Sequence, residues 1–208
     1  MTALRPLARL AVIGAAFAAV LTLGGCITLL PEAEPAALYR FEANVQPQDA
    51  PQRAPYGLLR TPVTLPSAAA GDRILTVTGA EAAYISGARW VSPASVLFGE
   101  AVDRAFADYP PLRLAERGDL NRPDYVLRLD VATFETRYLA GPDQPPTVVV
   151  HLNALLSRTT DRVVVASRSF EARETVSENR VTAIVAAYDK VTAAVITEMI
   201  NWVGQSAR

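Results

Sequence analysis

The chain has 208 residues, of which half are apolar and 20% are charged, and its formal net charge at pH 7 is −1. This composition is typical of a folded globular protein and excludes an intrinsically disordered chain. The charge is too small and too mixed for a nucleic-acid-binding surface, so we expect no nucleic-acid partner.

The first 25 residues have the pattern of a removable export signal. Arg5 and Arg9 provide a positively charged start. The uncharged apolar run at residues 10–23 is shorter than the roughly 20 residues that a membrane-spanning helix needs, but it suits a signal peptide. Removal of residues 1–25 takes away two arginines and no acidic residue, which would leave a net charge of −3.

The segment Leu23-Gly24-Gly25-Cys26 resembles the bacterial lipobox. We therefore expect signal cleavage between Gly25 and Cys26, and a covalent diacylglycerol and N-acyl lipid on Cys26, the only cysteine. Several buried acyl chains would make the membrane attachment stable. Ile27 follows in place of the aspartate that commonly retains lipoproteins in the inner membrane, which favours the outer membrane.

Residues 26–37 are predicted to form a lipidated tether, and residues 38–208 are predicted to form the folded domain. Seven of the fifteen prolines lie between residues 31 and 66. Because proline fixes φ and lacks a donor, we expect a proline-rich loop at about residues 44–71. Residues 38–43 alternate apolar and polar side chains, which predicts a first edge strand.

A strand and then a helix are predicted next. Arg73–Gly79 is rich in β-formers and predicts a strand. Ser92 followed by proline predicts the start of a helix, with Ser92 as the N-cap and with Val91 and Val96 as an apolar staple. The helix should bury one apolar stripe. The stripe consists of Leu97, Ala101, Val102, Ala105, Phe106 and Tyr109.

Three longer β segments follow at residues 124–139, 147–158 and 163–176, and they predict an antiparallel meander. A final helix is predicted from about Asn179 to Val203, with Asp189 on its polar side. The expected fold class is α+β: a single mostly antiparallel sheet with two helices packed on one face, in the order of about β-α-β-β-β-β-α.

Candidate catalytic residues are few. His151 is the only histidine, no G-x-S-x-G motif is present, and the single cysteine is assigned to the lipid. The carboxylates Asp103, Asp108, Glu171 and Glu174 are interpreted as solvated charges. We therefore predict that the protein is not an enzyme and that it has no metal site and no cofactor besides its lipid.

Several short motifs recur in a characteristic order after the lipobox. They are Leu38-Tyr39-Arg40-Phe41, Asp72-Arg73-Ile74, Ala83-Tyr84-Ile85, Ala88-Arg89-Trp90, Tyr125–Leu129 and Phe134-Glu135, followed by the C-terminal helix. Their order and spacing resemble the ABC-type transport auxiliary lipoprotein family, the PqiC/YmbA-like lipoproteins. The likeness covers most of the chain after Cys26, with a departure at Val91-Ser92-Pro93.

The resemblance implies a partner and not a reaction. Such lipoproteins act as auxiliary components of MCE-type ABC transport systems for lipids or hydrophobic molecules, at the periplasmic face of the outer membrane. The expected partner is an MCE-domain protein and, through it, the transporter permease and ATPase; a homo-oligomer is left open. The resemblance marks Tyr84, Arg89 and Trp90 as candidates for a partner- or lipid-facing element. Core packing is the alternative for Trp90, as it is for Trp202.

Other classes of lipoprotein fit the same outline. A lipopolysaccharide-assembly-type lipoprotein that partners an outer-membrane β-barrel has a similar order of elements. A structural envelope lipoprotein would need no transport partner. A lipid-anchored hydrolase would need a nucleophile–base pair, which the sequence does not supply.

Overall fold

The computed structural model describes residues 35–45, 56–109, 112–115 and 122–207. By its internal contacts the chain divides into residues 1–35 and residues 36–208, and the second unit is the folded domain described below. The expected signal peptide, the cleavage site and Cys26 lie outside the described residues. Most of the expected tether and residues 46–55 of the expected proline-rich loop lie outside them as well.

Eight strands and three helices make up the described domain. The strands are β1 (Ala37–Tyr39), β2 (Tyr56–Arg60), β3 (Arg73–Thr78), β4 (Glu81–Trp90), β5 (Leu112–Leu114), β6 (Tyr125–Arg137), β7 (Thr147–Arg158) and β8 (Val164–Thr175). The helices are α1 (Ser67–Ala70), α2 (Ala94–Ala107) and α3 (Val181–Ser206). All eight strands belong to one sheet, which confirms the predicted α+β class. Among the described residues, no helix is both long enough and apolar enough to cross a membrane.

The sheet is organised around β6. One edge of β6 pairs along its length with antiparallel β7, and β7 pairs in the same way with β8. The other edge is shared by two branches: β2 pairs in parallel near the start of β6, and β3 pairs in parallel near its end. β5 extends the first branch, and β4 and β1 extend the second. The sheet is therefore forked and mixed, although its three most extensive pairings are antiparallel.

Strands β2, β4 and β5 and helix α1 were not predicted from the sequence. β2 and β5 have only 5 and 3 residues, too few for a clear alternation, and their partners are distant in sequence. β4 has a broken alternation: Leu75 lies opposite Tyr84 and Arg73 lies opposite Arg89, so β4 has extra residues between these two pairs. Gly87, with φ of +67°, lies in this irregular segment.

Helices α2 and α3 pack on the same face of the sheet. Phe134 of β6 contacts Phe98 of α2 and Tyr188 of α3, with ring centroids 6.2 and 4.7 Å apart. Every residue of the predicted apolar stripe of α2 is buried. The inward residues of β6 and β7, including Leu129 and Leu152, are fully buried in the same apolar core.

The start of α2 differs from the prediction. Ser92 does not cap the helix, and no side chain makes a capping hydrogen bond there. The backbone N–H of Ala94 instead donates to the carbonyl of Gly71 at 2.9 Å. Val91 and Val96 are 43% and 46% exposed, so the predicted staple is wrong. A carbonyl distant in sequence satisfies the helix N-terminus, which a local pattern does not indicate.

Candidate docking site

Trp90 lies in the core and not on the surface. Its side chain is 2% exposed, and its ring meets the rings of Phe41 and Tyr188 edge-on, with centroids 5.2 Å away in both cases. Its Nε1–H has no hydrogen-bond partner among the described residues. Trp90 is therefore a core-packing residue. Trp202 is one as well, because its ring packs against that of Phe170.

Tyr84 and Arg89, the two other candidates for a partner-facing element, both have partners within the domain. The guanidinium of Arg73 lies over the Tyr84 ring, 3.7 Å from its centroid, and the Tyr84 hydroxyl donates to the carbonyl of Ala68 at 3.1 Å. Arg89 donates to the carboxylate of Asp72 at 2.9 Å. These contacts attach β4 to the segment around α1. Both side chains remain partly exposed, so their role in binding stays a prediction.

The face of the sheet opposite the helices is open. On β6, β7 and β8 it carries mostly polar and charged side chains that are exposed or half-buried, together with the half-buried Leu155 and the buried Val149. Paired registers align these side chains in rows across the three strands. The two central rows are Arg128, Leu155 and Ser167, and then Asp130, Asn153 and Ser169.

A trough follows the two central rows. Its larger part has a volume of about 660 Å³ and is bounded by Thr64 and Arg168. A second depression of about 430 Å³ shares Thr64, Arg128 and Leu155 with the first and continues to Val126. We call these two depressions together the open-face trough. Its lining combines apolar side chains with hydrogen-bonding groups, as protein-binding surfaces do.

Arg128 lies in this trough and has no ion-pair partner among the described residues. Among the described residues no carboxylate forms an ion pair with it, and Asp130 of the next row accepts a hydrogen bond from the Thr64 hydroxyl at 2.6 Å. Asn153 accepts from the Ser169 hydroxyl at 2.6 Å. The guanidinium donors of Arg128 are therefore available to a carboxylate or phosphate group from outside.

The histidine of β7, His151, lies near a carboxylate of β8. Nδ1 of His151 lies 3.9 Å from the Glu171 carboxylate, which accepts a hydrogen bond from Arg173 at 2.6 Å. That hydrogen bond lowers the pKa of Glu171, so the carboxylate is ionised at neutral pH. Within the described ranges, no group of three or more His, Cys, Asp and Glu side chains could hold a metal ion.

Two carboxylates predicted to lie on the polar sides of the helices have structural contacts. Asp189 accepts hydrogen bonds from the backbone N–H groups of Glu42 and Ala43 at 2.7 and 2.8 Å. Asp103 receives two hydrogen bonds from the Arg60 guanidinium, each 2.6 Å long. Both contacts join segments far apart in sequence, so no local pattern could have indicated them.

Comparisons with known proteins give one family. A sequence model described as "ABC-type transport auxiliary lipoprotein component" matches residues 39–200. The crystal structure of protein XCC0632 from Xanthomonas campestris is similar, with a TM-score of 0.73 and 30% identity, over 82% of this chain and 96% of that chain. No curated protein sequence matches.

Two further solved structures share the fold at lower identity. An uncharacterized protein has a TM-score of 0.63 at 16% identity, over 82% of this chain and 99% of that chain. The hypothetical protein CT253 from Chlamydia trachomatis has a TM-score of 0.54 at 8% identity, over 74% of this chain and 98% of that chain.

Proposed function

The chain belongs to the ABC-type transport auxiliary lipoprotein family, and from this membership we propose that it is a docking subunit of a transport system for lipids or other hydrophobic molecules. Members of this family are membrane-anchored envelope lipoproteins that assist ABC transporters. The proposed anchor is lipid on Cys26, at the periplasmic face of the outer membrane. The proposed partner is an MCE-domain protein linked to the permease and ATPase.

The match of the family model to residues 39–200 is the observation that carries this proposal. The proposed mechanism is binding and positioning without a covalent step, with energy supplied by the ATPase of the system.

The open-face trough is the proposed docking surface. The helix-covered face is occupied by the domain's own core, whereas the trough offers unpaired donors from Arg128 beside the apolar side chains of Leu155 and Val126. A partner surface with a carboxylate opposite Arg128 would fit this charge. Tyr84 and Arg89 are secondary candidates, because each is partly exposed but already has an internal partner.

Co-purification tests the partnership. We expect the lipidated full chain to retain an MCE-domain protein encoded in the same genome when both are extracted in mild detergent. Retention of an outer-membrane β-barrel protein without any MCE-domain protein would overturn the proposal in favour of an assembly-type lipoprotein. Retention of neither would favour a structural envelope lipoprotein.

A charge reversal tests the docking surface. Arg128→Glu should weaken binding of the MCE-domain protein by about tenfold or more, since it places a like charge opposite the partner carboxylate. Arg40→Glu is the matched control, because Arg40 is exposed, lies outside the trough and undergoes the same change of charge. Equal affinities of the two variants in a binding titration would exclude the trough as the docking surface.

A further inference from the structure

The N-terminal end of β1 faces one end of the sheet. β1 runs parallel to the last part of β4, with Leu38 opposite Arg89. β4 in turn begins beside the turn at Gly79 that follows β3. Because β1 and β4 run in the same direction, the N-terminal end of β1 faces the side on which this turn lies.

The β6–β7 loop lies at the same end. β3 pairs in parallel with the end of β6, and the N–H of Tyr138 donates to the carbonyl of Val77 at 2.9 Å. The turn at residues 79–80 and the loop at residues 139–146 therefore end the sheet side by side. We call this the proximal end. The distal end is the opposite one, formed by the β7–β8 turn at residues 159–163.

The proximal end carries an exposed apolar group. Leu139 is 73% exposed, more than any other large apolar side chain among the described residues. Residues 139–146 include only one charged residue, Asp143, and three prolines, which have no N–H to leave unpaired. This loop can approach the boundary between lipid headgroups and acyl chains at a small desolvation cost.

The chain between Cys26 and Leu38 is long enough to allow this end to reach the membrane. Leu38 and Arg73 both lie opposite Arg89 of β4, on its two sides. Arg73 is five residues from the end of β3, which corresponds to about 17 Å at ~3.3 Å per residue. The twelve steps from Cys26 to Leu38 reach about 42 Å at most. Twelve residues are therefore enough for the proximal end to reach the membrane that holds the proposed lipid, and at full extension they reach about 25 Å more than the distance to that end.

We propose that the proximal end rests on the surface of the membrane that holds the lipid of Cys26, with Leu139 in contact with the bilayer. The distal end then points away from the membrane, toward an arriving partner. Tyr56 and Tyr125, whose rings are in edge contact at 5.7 Å, line a depression of about 400 Å³ beside the distal turn. This orientation depends on the proposed function only through the lipid anchor.

Site-specific fluorescence tests the orientation. The only natural cysteine is the proposed lipid site, so Leu139→Cys and Val163→Cys each add one thiol for an environment-sensitive dye. The two positions are matched, because both are exposed apolar residues in connections between strands. The labelled, lipidated full chains are placed in phosphatidylcholine vesicles that contain headgroup spin-labelled lipid.

We expect the dye at position 139 to be quenched at least about threefold more strongly than the dye at position 163. Equal quenching, or stronger quenching at position 163, overturns the proposal. A full chain that does not float with the vesicles also overturns it, because the lipid anchor is its premise. The vesicles contain no transporter, so a failure of the proposed partnership would leave this result unchanged.

Discussion

The two faces of the sheet differ in where their side chains find partners. On the helix-covered face, Phe134 and Leu152 are buried among side chains of α2 and α3. On the open face, Arg128 of the same strand as Phe134 has no charged partner among the described residues. We therefore expect substitutions on the helix-covered face to change the stability of the fold. Substitutions on the open face should change partner binding and leave stability unaffected.

The largest expected effect is on the covered face. Phe134 contacts the rings of Phe41, Trp90, Phe98 and Tyr188. Phe134→Ala should lower the free energy of unfolding by about 3–5 kcal/mol, because it removes the ring at the centre of this cluster.

The matched control for Phe134 lies on the same strand and faces the other way. Arg128→Ala should change the free energy of unfolding by less than about 0.5 kcal/mol in urea denaturation. A similar loss of stability in both variants would show that the open face also contributes to the folded core.

A smaller loss is expected where α3 approaches Tyr109. A Cβ atom at Gly204 would overlap the Tyr109 hydroxyl, and Tyr109 is buried. Gly204→Ala should therefore destabilise the domain by about 1–3 kcal/mol. Adding Tyr109→Phe should recover part of this loss, since it removes the nearest atom.

Gly99→Ala is the control for this close approach. A Cβ at Gly99 would have ordinary contacts with the Arg60 guanidinium, at 3.8 Å or more. This variant should be neutral or up to about 1 kcal/mol more stable, because alanine favours the helix interior. Equal melting temperatures of the two glycine variants would contradict the predicted overlap.

A substitution of Asp189 tests whether this carboxylate stabilises the helix-covered side of the domain. Asp189→Ala leaves the N–H groups of Glu42 and Ala43 without their acceptor, which should destabilise the domain by about 1–2 kcal/mol. Amide exchange at these two residues should become faster. Glu198→Ala, at an exposed position of the same helix, should change neither measurement.

The smallest effect depends on pH. Burial raises the pKa of Tyr188 well above its ordinary value, so the folded state keeps this phenol neutral. The stability that comes from keeping this phenol protonated is fully present below the unfolded-state pKa of about 10. It is lost as pH rises above that value toward the folded-state pKa. Tyr188→Phe removes the ionisable group and therefore this pH dependence of stability.

Unfolding in urea at pH 8 and pH 11 measures the difference. At pH 8 the variant should be less stable by about 1 kcal/mol, because the Thr136 hydroxyl loses its hydrogen bond to Tyr188. Between pH 8 and pH 11 the wild-type chain should lose more stability than the variant. Parallel losses would mean that Tyr188 ionises equally in both states.

Elements with a regular local pattern could be predicted from the sequence. β6, β7 and both long helices were predicted because each repeats its apolar residues at period 2 or 3.6 over 12 residues or more, and β8 was predicted as the segment that returns after β7. The single sheet with helices on one face followed from two helices with one apolar stripe each.

Features that depend on distant partners could not be predicted in this way. β2 and β5 are strands because they pair with each other and β2 pairs with β6, and the start of α2 is satisfied by the carbonyl of Gly71. Trp90 is buried by Phe41 and Tyr188, which lie about 50 and 100 residues away in sequence. The open-face trough likewise exists only once three strands are aligned.

The junction between tether and domain determines how the protein bears tension. A pull toward the proposed lipid anchor acts along β1, so the backbone hydrogen bonds to β4 are loaded in shear, all together and not one after another. Directly after β1, Phe41 is 1% exposed in the core and Asp189 holds the next two amides. β1 cannot slide unless the buried Phe41 ring leaves the core, so the domain should resist unravelling from its N-terminal side.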